Sequence, residues 1–198
     1  MTQEIEMEYK NLLTESEYTR LQEGLPFPEN AQLQVNHYFE TAGFALKELG
    51  CALRIREKNG AFTSTLKEPH PQGLLETHDA LSDEEAEQWF NGNITLKNNI
   101  AERMAANNIH AEDLTYYGSL TTRRRELDYK NVLLVLDYST YHGNDDYELE
   151  IEAQSETAGL KAMNDIMKDF SIDKRYTPNK IQRFFNSAPE NKRHRKSD

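Results

Sequence analysis

The chain has 198 residues, with 34 Asp and Glu against 23 Lys and Arg and a formal net charge of −11 at pH 7. That sign argues against binding nucleic acid through bulk surface charge, and no apolar run approaches the roughly 20 residues that cross a bilayer. The length suits one domain with a small helical insertion; with Cys51 as its lone cysteine and no signal segment, the expected setting is a reducing cytoplasm.

In a β-strand successive side chains point to opposite faces. Glu4-Ile5-Glu6-Met7-Glu8-Tyr9-Lys10 then forms a strand with Ile5, Met7 and Tyr9 on one face and Glu4, Glu6, Glu8 and Lys10 on the other. Thr14 followed by Glu15 and Glu17 starts a helix, which Gly24 and Pro26 end. Residues 31–40 alternate as a second strand, with His37 on the apolar side as a packed ring, and a short turn or helix spans 43–49. In the next strand Arg54 and Arg56 lie opposite Leu53 and Ile55, and Cys51 is expected to pack with the apolar set. Lys58-Asn59-Gly60 is a hairpin turn into a strand on which Thr63, Thr65 and Lys67 share a face. Pro69 and Pro71 break the chain before a short strand over 73–80 that contains Glu76.

Ser82 with Asp83, Glu84 and Glu85 is a capping arrangement that opens a helical stretch to about Ala106, anchored by Trp89, Phe90 and Ile94. Strands over 115–127, 131–141 and 146–154 follow, turned at Lys130-Asn131 and at Gly143-Asn144-Asp145. The last repeats the acidic alternation of the first, as Tyr147-Glu148-Leu149-Glu150-Ile151-Glu152-Ala153. A helix covers 156–169, and Thr177-Pro178 begins a final short one. The basic run Lys192–Lys196 belongs to a tail over 188–198 expected to be solvated and disordered. His70, His78, His110, His142 and His194 show no metal-ligand spacing, and no Gly-rich phosphate loop is present.

Taken singly, each charged row is an ordinary solvated face or a set of surface ion pairs. Together they ask for more. Two like charges 4 Å apart repel by about 1 kcal/mol in water and about 4 kcal/mol at an effective dielectric of 20. Acidic strands at both ends of the chain and basic strands between them point to one shared polar interior, where cations and a polyanion neutralise the two sets. The expected fold is α+β: an eight-stranded, mostly antiparallel β-barrel with flanking helices, wide enough for one small ligand.

Glu6-x-Glu8-x-Lys10 resembles the ExExK signature of the CYTH superfamily, the triphosphate tunnel metalloenzymes, and further matches follow in order along residues 4 to about 185. Leu53-Arg54-Ile55-Arg56 is similar to its second motif and Thr65-Leu66-Lys67 to its third. Glu76, Arg124, Asp137, Glu150 with Glu152, and Lys180 resemble its remaining acidic and basic positions. The overall look is similar to the bacterial, single-domain Firmicutes type. Where the family carries a lysine two residues before its late arginine, this chain has Thr122.

The resemblance implies one CYTH tunnel domain over 1–187, with a helical insertion about 82–110. It implies Mg²⁺ or Mn²⁺ as cofactor and a small polyanionic substrate, inorganic triphosphate before thiamine or nucleoside triphosphate. A class IV adenylate cyclase, or a non-catalytic nucleotide or polyphosphate-binding module, is the alternative. No membrane is implied, and the chain would work as a monomer or homodimer. The implied catalytic set is Glu6, Glu8, Lys10, Glu150 and Glu152. Phosphate would be held by Lys10, Arg54, Arg56, Lys67, Arg124 and Lys180, and metal by Glu6, Glu8, Asp137, Glu150 and Glu152. Three ambiguities stay open: Glu4 against Glu6 and Glu8, Glu148 against Glu150 and Glu152, and which of Arg123, Arg124 and Arg125 faces inward. Glu76 would orient a basic side chain or contact bound water.

Overall fold

The computed structural model describes residues 2–188. The basic tail expected over 188–198 lies, Ala188 apart, outside the described residues. In chain order the elements are β1 (Thr2–Glu6), β2 (Glu8–Leu13), α1 (Glu15–Gly24), β3 (Gln32–Thr41), α2 (Ala45–Glu48), β4 (Ala52–Lys58), β5 (Ala61–His70) and β6 (Gly73–Leu81). There follow α3 (Asp83–Phe90), α4 (Asn98–Ala106), β7 (Leu114–Tyr129), β8 (Val132–Tyr141), β9 (Asn144–Ala153), α5 (Glu156–Asp169) and α6 (Lys180–Ser187).

Among the described residues nine strands form one antiparallel sheet in the order β1-β6-β5-β4-β3-β7-β8-β9-β2. Its two edges, β1 and β2, are consecutive in the chain and separated by Met7 alone. The amino-terminal strand therefore pairs with β6 through its first half and with β9 through its second, which curls the sheet back on itself. Eight strands were expected, and the ninth arises from this break. Met7 hands its carbonyl to the Ala153 N–H at 3.0 Å, while Gly73 packs against the chain just before it. A Cβ on Gly73, whose φ is +147°, would fall 2.2 Å from the Glu6 carbonyl oxygen, so the switch point needs glycine there.

Alternation sorts the side chains as the sequence implies. Leu134, Leu136, Leu149 and Ile151 leave the outer face of β8 and β9 to pack under α1 and α5 with Leu21, Met163 and Ile166. Gly159 lets α5 approach closely, since a Cβ there would meet the Tyr9 ring at 2.1 Å. Phe39, Leu53, Ile55 and Leu66 form a second outer core with Trp89, Ile100 and Met104 of α3 and α4. Thr14 and Ser82 each make a capping box, as expected.

Strand β9 begins at Asn144, inside the expected turn, and β7 runs longer at both ends, and two helix boundaries differ from expectation. The helical stretch from Ser82 is two helices, because the chain turns at Gly92 with φ +88° and stays irregular to Lys97. The last helix begins at Lys180 behind the N-cap Asn179, two residues later than Thr177-Pro178 suggested; Thr177 instead gives its hydroxyl oxygen to the Leu12 N–H at 2.8 Å. No helix among the described residues is long and apolar enough to cross a membrane.

Candidate active site

The inner face of the curled sheet encloses a cavity of about 420 Å³. Strand register aligns its charges. In β2 and β9, Lys10 stands opposite Glu150 and Glu8 opposite Glu152. Lys67 of β5 stands opposite Glu76 of β6, which in turn faces Glu4 of β1. Arg124 of β7 faces Asp137 of β8. Of the expected residues, Glu4, Glu6, Glu8, Lys10, Arg54, Arg56, Lys67, Glu76, Arg124, Glu150, Glu152 and Lys180 all line the cavity.

Asp137 and Glu148 do not. Both point inward yet have no exposed surface, because basic side chains cover them. Asp137 accepts from Arg124 Nε at 2.8 Å and Nη2 at 2.6 Å, and lies 2.8 Å from Lys180 Nζ. Glu148 is held by Lys180 at 3.1 Å and by Arg183. In this structure Asp137 is thus a buried counter-ion to Arg124 and Lys180 behind the wall, and of the three acids on β9 it is Glu150 and Glu152 that reach the cavity. Among the three arginines, Arg124 faces in. Arg125 leaves outward to the Pro28 and Glu29 carbonyls and the Tyr18 hydroxyl, and Arg123 is exposed.

The sequence reading missed several side chains, four of them charged or polar groups close to the expected set. Arg183 extends the buried network to Asp146 and Glu148, one turn beyond Lys180 on α6; its sign was the i, i+3 spacing from Lys180. Asp146 continues the inward parity of Glu148 and accepts from Tyr141 Oη at 2.6 Å. Asn36 and His78 also line the cavity. The strand alternation that selected Glu76 selects His78 as well. Cys51, expected in the packed set, is half-buried and reaches the cavity wall, and burial raises its thiol to about 11, so it stays protonated. His37 does pack, with its ring centroid 4.3 Å from that of Phe90. Thr122 is sealed in the sheet against Ser139 at 3.0 Å.

The electrostatics divide the wall. Around α6 each base is answered: Lys180 touches Asp137, Glu148 and Glu150, the last at 2.5 Å, although burial and the neighbouring Glu150 still push the Glu148 carboxyl up to about 7. Burial opposes the charge on Glu150, but Lys180, Arg124 and Lys10 hold its carboxyl well below the ordinary range. Burial likewise opposes the Arg124 guanidinium, and Asp137 and Glu150 outweigh it. Elsewhere charges are left over. Burial, with Arg54 and Arg124 as like neighbours, pulls Arg56 down to about 9; its side-chain partner is the amide oxygen of Asn36 at 3.0 Å. Arg54 Nε is buried without a hydrogen-bond partner. Burial and the nearby Glu6 push Glu152 up to about 7, and burial also raises Glu6 despite Lys67 at 2.7 Å. One cavity therefore holds an under-neutralised basic cluster and an under-neutralised acidic one.

A family model, the CYTH domain, matches residues 4–185. A Bacillus subtilis (strain 168) protein named "Putative triphosphatase YjbK" is 41% identical over 186 residues, 93% of this chain and 96% of that one. A solved structure from Bacillus halodurans, described as a "putative adenylate cyclase", is 43% identical and covers 93% of this chain and all of its own, with a TM-score of 0.89. A structure from Hippeastrum, described as a "putative adenylyl cyclase" with a dominant triphosphatase activity, shares the fold at 22% identity and a TM-score of 0.78, covering 96% of this chain and all of its own.

Proposed function

The chain belongs to the CYTH domain family, and from that premise we propose that it hydrolyses a triphosphate, inorganic triphosphate first, with a divalent metal. The observation that carries the reading is the pair of unmatched clusters in one cavity. An under-neutralised basic cluster is what a polyanion completes, and an under-neutralised carboxylate cluster is what a hard cation completes. The name borne by the 41%-identical relative supports the same activity.

Phosphoryl transfer asks a protein mainly to position the chain of phosphates and to neutralise charge on their non-bridging oxygens. Arg54 and Arg56 offer planar forks for bidentate contact, and Lys10, Lys67, Arg124 and Lys180 add charge around them. Asp137 acts from behind by fixing the Arg124 fork and the Lys180 ammonium. Glu6, Glu8, Glu150 and Glu152 would hold Mg²⁺ or Mn²⁺. The fit lies in an all-oxygen donor set and in the raised carboxyls of Glu6 and Glu152, which lack sufficient positive charge nearby. When bound, the ion supplies Lewis-acid charge at the phosphates. The lone cysteine and the absence of a spanning helix among the described residues suit work in the cytoplasm.

Phosphate release from inorganic triphosphate with Mg²⁺, Mn²⁺ or a chelator, beside cyclic AMP formation from ATP, tests this. Metal-dependent release that the chelator abolishes is expected. Cyclic AMP without hydrolysis would make the protein a cyclase, and tight binding without turnover would make it a binding module. Glu6→Ala should weaken metal dependence and Arg54→Ala should raise KM for triphosphate.

A further inference from the structure

At the cavity rim nearest β1, three side chains meet that the triphosphate reading does not require together. Glu4 of β1 and Glu76 and His78 of β6 offer ligand atoms that all lie within 4.8 Å of one another. His78 Nε2 stands 3.2 Å from Glu4 Oε1 and 3.6 Å from Glu76 Oε2. We propose that Glu4, Glu76 and His78 form a second metal site, selective for an imidazole-preferring divalent ion such as Zn²⁺ and separate from the all-oxygen Mg²⁺ or Mn²⁺ site.

Three features make this a ligand set rather than an ion pair with a histidine beside it. The first is the orientation of the ring. Thr65, paired with His78 in the β5–β6 register and buried, places its hydroxyl 3.0 Å from Nδ1. In the tautomer where Nδ1–H donates to that hydroxyl, Nε2 presents its lone pair to the two carboxylates. An outer hydrogen bond of this kind fixes a metal-ligating imidazole.

The second is the free side of Glu76. Its Oε1 faces Lys67, while Oε2 is turned toward His78 at 3.6 Å and Arg54 at 3.9 Å, both beyond hydrogen-bond length. One oxygen can therefore serve Lys67 and the other a metal. The third is backbone support. Glu76 and His78 are alternate residues of one strand, and Glu4 is the register partner of Glu76 on the neighbouring strand. Two paired strands thus aim the three groups at one point, and Glu4, largely exposed, can swing the short distance needed.

Donor chemistry sets the selectivity. Mg²⁺ demands oxygen ligands and gives up water reluctantly. A nitrogen donor with two carboxylates and room for water suits Zn²⁺, which also stands above Mn²⁺ in intrinsic affinity for such sites. Millimolar Mg²⁺ should therefore occupy the Glu6, Glu8, Glu150 and Glu152 group and leave this one to Zn²⁺. The inference concerns the full chain without substrate and does not depend on which triphosphate, if any, is turned over.

Equilibrium dialysis of the full chain against Zn²⁺ in a large excess of Mg²⁺, followed by metal analysis, tests it. One retained equivalent of Zn²⁺ is expected. His78→Gln and Glu4→Gln should each weaken its binding by more than about tenfold. Glu4 is exposed, so Glu4→Gln reports on the site even if His78→Gln perturbs the sheet. Glu150→Gln, which alters the other site, should keep the Zn²⁺. Failure to retain Zn²⁺ over Mg²⁺, or retention undiminished in either Glu4→Gln or His78→Gln, overturns the proposal.

Discussion

On the β7–β9 side of the cavity Arg124, Lys180 and Arg183 each touch at least two carboxylates. On the β3–β4 side Arg56 touches an amide oxygen, and Arg54 has one carboxylate at 3.9 Å and a buried Nε without a partner. Similar side chains on opposite walls thus do different work. The matched wall is complete as folded, and its ion pairs hold α6 against the sheet. The unmatched wall carries charge that only a ligand neutralises. Mutations on the first should be felt as lost stability, with lost binding besides where the side chain lines the cavity, and mutations on the second as lost binding alone.

The largest expected effect lies on the matched wall. Asp137→Asn leaves Arg124 and Lys180 facing each other around a neutral amide with no surface exposed to water. Removing one partner from a buried ionic group costs about 3–5 kcal/mol. Urea unfolding should register that loss, with the slope against denaturant unchanged. A loss below about 1 kcal/mol would mean that the network is as weakly coupled as a surface pair, and the distinction between the walls would fall.

Next comes the unmatched wall. Arg56→Gln removes a cation that burial and two neighbouring arginines already disfavour. The unfolding free energy should stay level or rise. Activity on triphosphate should fall roughly 10- to 100-fold, as expected for losing a charge-assisted contact of about 1.5–3 kcal/mol. Inorganic triphosphate should raise the melting temperature of the parent protein more than that of the variant, because a ligand that binds only the native state stabilises it in proportion to its affinity. Equal thermal shifts in both would remove Arg56 from the phosphate site.

The contrast between walls also explains what the sequence could reveal. Strand parity exposed Arg54, Arg56 and Lys67 because each alternates with a core residue such as Leu53, Ile55 or Leu66. The same parity could not tell the cavity-lining Glu150 from the covered Glu148, since both point inward and differ only in what α6 lays over them. Nor could parity show that Asp137 lies covered by Arg124 and Lys180. Arg183 sits in a short helix whose docking depends on Phe184 and Phe185 packing on Tyr38 and Tyr117, a contact no local pattern encodes. Helix α5 ran over 156–169 as read, because Ser155 supplies its cap and its apolar spacing is regular. The break at Met7 was hidden, because Glu4 to Lys10 alternates without a gap; what divides it is the change of partner from β6 to β9.

The smallest effect should come from the pairing that ties the segment before α6 to the matched wall. Glu17 closes the capping box of α1 by accepting from the Thr14 N–H at 2.7 Å, and it also binds Arg175 at 2.7 Å and the Asp173 N–H at 3.2 Å. Burial opposes the carboxylate, yet these donors hold its pKa below the ordinary value. A carboxyl depressed in the folded state contributes stability that is full above its unfolded pKa and is lost as pH falls through the folded one. Glu17→Gln should therefore cost about 1 kcal/mol at neutral pH, and the difference from the parent should shrink to nothing on acidification. Arg175 keeps its backbone bond to Asn11 at 2.8 Å and its contact with the Leu12 carbonyl, so Lys180 stays in place and activity at neutral pH is unchanged. Unfolding curves of the two proteins across the acid range make the check. A gap that persists below the folded pKa would show that Glu17 acts through packing rather than charge, and a fall in activity would show that the anchor reaches the cavity after all.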